Sequence, residues 1–363
     1  MTKSNVPEPV SDVIDVRPDE RFDSSRVAEF LAGKLDGSDR SLRVRQFSGG
    51  HANLTYLLQY GVGDDCIEYV LRRPPLGPVA ASSHDMNREY RVLSKLWQAF
   101  PQAPRAFLYC GDDSIIGAEF LVMERRHGVV VRHAIPEVFG GGRDPAANRK
   151  LSEVVIDTLA EFHAVDPVSV GLESLGKPAG FLERQVAGWS GRYERAQTSD
   201  IAVADEVRQW LLDNLPASPA ATLVHNDWKL DNMAVAADDP GRCVAVYDWD
   251  MCSLGDPLCD VGTLLGLWVD RGETSAQNTA MPTQLEGFMT RAEATRRYGE
   301  RSGRDIDAIP YYVVFGTFKM AVVLQQIYYR FHNGQTQDCR FAGLGKLAED
   351  LFNLAEERRS AAP

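Results

Sequence analysis

Hydrophobic and polar positions alternate with two different periods along this chain, and the change divides it in two. Over residues 24–35, Val27, Phe30, Leu31 and Leu35 fall on one helical face behind two serines suited to capping. Strand-like runs follow at 42–47, 53–60 and 67–72, separated by glycines at 49–50, 61 and 63, an order that predicts an antiparallel meander. A helix over 85–97, carrying Tyr90, Leu93 and Trp97 at apolar spacing, and two short strands near 106–110 and 118–123 complete a lobe of five strands ending near Glu124. Beyond the glycine-rich loop at 140–145 the pattern is mainly helical, with helices expected over 148–164, 181–197, 203–214, 257–268, 283–299, 308–332 and 341–358. Three short apolar runs, at 222–224, 233–236 and 244–247, interrupt it.

The reading is therefore an α+β chain. A flexible arm is expected at 1–20, a small sheet lobe at 21–124 and a larger helical lobe at 125–363. Clefts between lobes are common ligand sites. The most apolar stretch, Tyr311 to Tyr329, is broken by Lys319, Gln325 and Gln326, which predicts a buried core helix rather than a membrane span.

Composition narrows the partners more than it narrows the fold. With 51 acidic against 39 basic side chains the net charge is −12, which disfavours nucleic acid and anionic membranes as partners. Six cysteines without CxxC spacing read as reduced, mostly buried thiols. Such thiols are those expected of a cytoplasmic protein, and the N-terminal residues lack the apolar core of a signal peptide. Oligomeric state is not legible.

The strongest chemical signal is LVHNDWKLDNMAV, residues 223–235, containing H-x-D-x-x-x-x-N as His225, Asp227 and Asn232. A second acid, Asp248, stands in VAVYDWDMCSLGDP. Phosphoryl transfer needs an in-line hydroxyl and cations spread over phosphate oxygens rather than covalent help. Mg²⁺ prefers hard oxygens and keeps several waters, so Asn232 and Asp248 suffice as its protein ligands beside the phosphates. Asp227 is then the catalytic residue that orients an acceptor hydroxyl and takes its proton. The loop pattern alone is loose, since Asp and Asn are ordinary turn residues. The order of small β lobe, loop, short strand and D-W-D raises its weight.

Together with FSGGHANLTYLL, YVLRRPP, REYRVLSKL, FLVMER, LAEFHAVD and YDWDMCSLGDPLCDVG, these motifs resemble the aminoglycoside phosphotransferase/choline kinase-like family, relatives of the eukaryotic protein kinases, from about Arg45 to about Trp268. The RRPP segment and the DW-x(5)-GDPL-x-D run are most similar to the kinase domain fused to some acyl-CoA dehydrogenases. The resemblance implies a bilobal protein-kinase-like fold, with a five-stranded antiparallel sheet in its small lobe, and ATP (or GTP) with Mg²⁺. It places Ser48, Gly49, Gly50 and His51 at the hairpin over the nucleotide phosphates. Arg72 stands where the family carries a phosphate-contacting lysine, a departure that keeps the charge and changes its geometry. Whether Arg72 or Arg73 faces inward stays open. Glu89 matches the helix acid that pairs with this basic residue, and backbone near Met123, Glu124 and Arg125 matches the adenine-binding hinge. His225, Trp249 and Asp250 are expected to support the site, Asp256 to brace a loop, Asp260 to sit as a helix N-terminal acid, and His163 and Tyr247 to pack.

The implied function is a small-molecule kinase acting on a metabolite hydroxyl, a hydroxyacyl compound before an aminoglycoside, because residues 305–340 form no dense acidic surface for a polycation. A nucleotide-binding pseudokinase-like regulator is the alternative, supported only by arginine at 72. A protein kinase ranks third, for want of an activation segment ending in A-P-E.

Overall fold

Residues 13–48, 53–76, 85–273 and 281–361 are described by the structure, a computed structural model, and the chain divides into two units. The first runs to Arg126 and includes Trp249–Met251, and the second holds the remainder.

In the first unit the elements are β1 (Val13–Ile14), α1 (Ser24–Leu31), β2 (Leu42–Phe47), β3 (Leu54–Tyr60), β4 (Ile67–Arg73), α2 (Met86–Leu96), β5 (Ala106–Cys110) and β6 (Phe120–Glu124). They form one sheet in the order β1-β2-β3-β4-β6-β5, with every pairing antiparallel. Six strands stand where five are expected. Val13 and Ile14 pair with Phe47 and Gln46, a register too short to announce itself in an alternation pattern. The expected arm at 1–20 is thus docked from residue 13 onward. Gln46 accepts a hydrogen bond from the Arg17 N–H (3.0 Å) and the Tyr56 hydroxyl donates to the Glu20 carbonyl (2.7 Å). Residues 1–12 lie outside the described ones.

Strand alternation gives this sheet one apolar face. Tyr56, Leu58 and Tyr60 of β3 pack with Tyr69 and Leu71 of β4, with Phe120 and Val122 of β6, and with Val27 and Leu31 of α1. Because Tyr56 opposes Leu71 and Thr55 opposes Arg72, Arg72 projects from the other face with Val70, and Arg73 from this one.

The second unit contains β7 (Val129–Val130), α3 (Pro145–His163), α4 (Phe181–Ala196), α5 (Ala202–Asp213), β8 (Thr222–Val224), β9 (Met233–Ala236), β10 (Asp239–Val246), β11 (Ser253–Gly255), α6 (Pro257–Gly266), α7 (Arg291–Ser302), α8 (Ile309–His332) and α9 (Leu344–Ala361). The strands form a β10-β9-β7 sheet and a β11-β8 pair. The helix expected over 283–299 begins only at Arg291. At Gly287 φ is +96° and a Cβ would lie 2.1 Å from the Pro145 carbonyl, so the chain turns there. Thr290 and Glu293 then form a capping box that starts α7.

Helix α8 packs along α6 and α9. Where α6 and α8 cross, Gly262 and Gly316 meet: a Cβ on Gly316 would lie 2.3 Å from the Gly262 carbonyl. Only the missing side chains allow that approach, and it brings Asp260 on α6 and Lys319 on α8 under the same loop. Among the described residues no helix is long and apolar enough to cross a membrane.

Candidate active site

The loop from His225 to Asn232 joins β8 to β9 and alternates like a strand. Trp228 and Leu230 are buried, while Asp227, Lys229 and Asp231 are half-exposed. Trp228 stacks on Phe162 with centroids 5.8 Å apart, and its indole N–H donates to the Val155 carbonyl at 3.0 Å. This inward anchor turns Asp227 and Lys229 to one side, where the Lys229 ammonium lies 3.0 Å from Asp227 Oδ2 and 3.9 Å from Asp231. Burial lowers the Lys229 pKa, but the charges of Asp227, Asp231 and Asp248 outweigh it and hold the value above the ordinary one. Burial pushes the Asp231 carboxyl up, aided by the Asp227 charge and opposed by Lys229.

Strand pairing brings the other acid in. Met233 opposes Val246 in the β9–β10 ladder, and the Tyr247 N–H donates to the Asn232 carbonyl at 2.8 Å. Asn232 and Asp248 therefore emerge from the same end of one hairpin. The Asn232 amide nitrogen donates to both the Asp227 carbonyl and Asp227 Oδ2, each at 2.9 Å, which leaves Oδ1 as the amide's acceptor. His225 lies under both segments: its Nδ1 accepts from the Asp227 N–H (3.3 Å) and its Nε2–H donates to the Tyr247 carbonyl (2.9 Å).

Among the described residues, Asn226 (φ 69°) and Asp248 (φ 70°) are the two non-glycine residues with left-handed backbone. Such conformations persist where surrounding contacts over-determine them. At Asn226 those contacts are evident. The Asp260 carboxylate accepts the His225 N–H at 2.6 Å and the Asn226 N–H at 2.7 Å; Ser253 accepts from the Asn226 side chain at 3.2 Å; and the Lys319 ammonium donates to the Asn226 carbonyl at 2.7 Å.

Asp260, expected as a helix N-terminal acid, stands in the first turn of α6 and also carries the loop. Burial raises its pKa, but the hydrogen bonds from His163 and from the His225 backbone N–H pull the value below the ordinary range. His163 Nε2 lies 3.3 Å from Asp260 Oδ2 and Nδ1 lies 2.8 Å from the Tyr298 hydroxyl. Burial drives its pKa below 6.5, with Asp260 opposing. A neutral imidazole donating from Nε2 and accepting at Nδ1 satisfies both partners. Asp256, the expected brace, caps α6 and accepts from the Tyr312 hydroxyl at 2.6 Å.

The first unit carries the remaining expected residues. Arg72 and Glu89 form a buried ion pair at 2.9 Å, while Arg73 turns to the opposite face and donates to the Ile116 carbonyl at 2.8 Å. Ser48 is exposed and its carbonyl accepts from Arg17 at 3.1 Å; Gly49, Gly50 and His51 lie outside the described residues. Met123 and Glu124 end β6, opposite Val70 and Tyr69. Arg125 lies over the Phe47 ring at 4.7 Å, which brings the end of β6 to the end of β2 beside Ser48. The Asp250 carboxylate accepts from Asn53 at 3.5 Å, and Trp249 packs edge-on against Phe100.

Among the described residues no group of three or more His, Cys, Asp or Glu could hold a metal ion by itself. One carboxylate and one amide oxygen match the donor chemistry of Mg²⁺, which takes its other ligands from water and phosphate. Sequence reasoning passed over Lys229 and Lys319. Lys229 stands two residues after Asp227 in an alternating segment, a spacing that implies a shared side. Lys319 is the one charge in an apolar run of nineteen residues, and a charge so placed needs a partner.

Residues 43–301 match the phosphotransferase enzyme family. Acyl-CoA dehydrogenase family member 11 of Gallus gallus is 33% identical over 87% of this chain and 41% of its own length. The chain thus spans less than half of that relative. A candidate aminoglycoside phosphotransferase of Ralstonia eutropha JMP134, known as a crystal structure, is 28% identical with a TM-score of 0.80, covering 94% of this chain and all of that one. A thermostable aminoglycoside phosphotransferase in ternary complex with AMP-PNP and hygromycin B shares the fold at 17% identity and a TM-score of 0.56, over 92% of this chain and 99% of that one. By the extent of the family match, the chain belongs to the phosphotransferase enzyme family, enzymes that carry a phosphoryl group to an alcohol.

Proposed function

We propose that this protein transfers the γ-phosphoryl group of ATP to a hydroxyl of a small metabolite, with Asp227 facing the alcohol. The observation that carries this reading is the Asn232 amide, whose nitrogen donates twice to Asp227 at the hairpin end from which Asp248 also emerges. Asn232 and Asp248 would hold Mg²⁺, which supplies charge neutralisation over the phosphate oxygens when bound. In the transfer itself the acceptor oxygen bonds to Pγ as the bridging P–O bond breaks. The hydroxyl proton passes to the Asp227 carboxylate, and ADP leaves with the electron pair.

For the nucleotide, the reading assigns Ser48, Gly49, Gly50 and His51, the pair Arg72–Glu89 and the backbone at Met123, Glu124 and Arg125. AMP-PNP in a protein of the same fold supports ATP as donor, and GTP is assayed beside it. For the acceptor, Lys229 and the nearby Lys319 set two ammonium groups around Asp227. A polycation would meet like charge at its target hydroxyl, so a neutral or anionic alcohol fits better than an aminoglycoside. The name of the curated relative points to acyl-CoA chemistry, which makes hydroxyacyl compounds the first class to test.

The test incubates the protein with ATP·Mg²⁺ or GTP·Mg²⁺ and a panel of hydroxyacyl-CoA compounds, simple alcohols, choline and aminoglycosides, following nucleoside diphosphate release. Turnover is expected with one class and is lost in Asp227→Ala and Asp248→Ala. Turnover indifferent to both changes refutes the assigned roles, and tight ATP binding with no product from any acceptor favours a regulator.

A further inference from the structure

We propose that Lys319 is a positioning residue for phosphoryl transfer: from α8 its ammonium grips the carbonyl of Asn226 and so fixes the backbone from which Asp227 projects. The inference rests on the reading of Asp227 as the acceptor-facing carboxylate.

The peptide segment before Asp227 is held by opposite charges on opposite edges. Asp260 of α6 takes the N–H groups of His225 and Asn226 at 2.6 and 2.7 Å, and Lys319 of α8 holds the Asn226 carbonyl at 2.7 Å. Between these grips Asn226 keeps a left-handed φ of 69°. That conformation decides the direction in which the next residue leaves. The two gripping helices pack closely where Gly262 meets Gly316.

Holding a lysine there carries a cost, because burial depresses its pKa against the opposing pull of Asp227, Asp260 and Cys259, with Lys229 adding to the depression. The Trp189 ring of α4 covers the ammonium from another side, 5.6 Å away. A methionine of similar length would fill this helix position without that cost. The charge is accounted for by what it grips. Small displacements of an aligned catalytic group lower rates on the order of 10²-fold.

The test uses the full chain and two readouts: release of labelled phosphate from ATP·Mg²⁺ with water as acceptor, and amide hydrogen exchange across residues 222–230. In Lys319→Met, ADP binding and the melting transition persist, exchange at 226–229 speeds up about tenfold or more, and phosphate release falls by about 10²-fold. Lys319→Gln, which retains a donor, falls between this variant and the parent. Because Lys319 acts through Asp227, the double variant D227N/K319M is no slower than D227N alone. Unchanged exchange in both Lys319 variants, or two losses that multiply in the double variant, overturns the proposal. Normal release from K319M beside an inactive D227N removes Lys319 alone, whereas full release from D227N removes the reading of Asp227 and this proposal with it.

Discussion

Arg72 and Glu89 form an ion pair inside the first unit, 2.9 Å apart and both buried, whereas in the second unit Asp227 and Asp231 both lie near the Lys229 ammonium at half-exposed positions. The first arrangement is a buried ion pair. The second shares one ammonium, Lys229, between Asp227 and Asp231 at 3.0 and 3.9 Å, with a further pull from Asp248. A buried pair mainly fixes geometry, since its Coulomb gain is largely offset by desolvation. An unbalanced, reachable group of acids is instead prepared for a cation or a proton. In the proposed function, the Arg72–Glu89 pair holds a fixed geometry toward the nucleotide and the Asp227 loop carries the chemistry.

The largest effect should come from the unbalanced side. Asp227→Ala and Asp248→Ala are expected to lower turnover by roughly 10³-fold or more while the melting temperature holds or rises, because each removes a mutually repelling acid. Steady-state rates alongside calorimetry check this, and a large loss of stability in Asp227→Ala would erase the distinction between the two regions. On the balanced side the order is reversed. Glu89→Ala leaves Arg72 buried without its carboxylate and should cost about 3–5 kcal/mol of stability, read from urea unfolding.

A smaller effect concerns the brace beneath the loop. His163 has a folded pKa below 6.5, so the unfolded chain binds the extra proton between that lower value and 6.5. Stability should be level above the unfolded value and decline as pH drops beneath it, and His163→Gln should flatten that part of the profile. Melting curves from about pH 8 to about pH 5 measure the slope. The smallest effect calibrates the rest: Arg301→Ala, breaking a half-exposed contact to Asp157, should change stability by less than about 0.5 kcal/mol.

Much of the architecture is legible in the residues. The run at 42–47 forms β2 over those same positions, 106–110 forms β5, and the apolar stretch with a lone lysine forms α8. Periodicity fails where an element depends on a distant partner. Val13–Ile14, Val129–Val130 and Ser253–Gly255 become strands because β2, β9 and β8 offer them hydrogen bonds. The start of α7 moves to Arg291 because Gly287 lies against Pro145, more than a hundred residues earlier.

The candidate site divides in the same way. Residue type and spacing by themselves single out Asp227, Asn232 and Asp248 as candidates, because hard oxygen donors at a turn and after a short strand carry their chemistry in their identity. The choice between Arg72 and Arg73 could not be made locally; it was decided by which face of β4 meets α2 and Glu89. The same holds for Asp260 and Lys319, one in the first turn of a helix and the other an interruption in an apolar run. Their ties to the loop exist only because two helices cross at paired glycines, and a contact between residues so far apart in the chain leaves no periodic trace in the sequence.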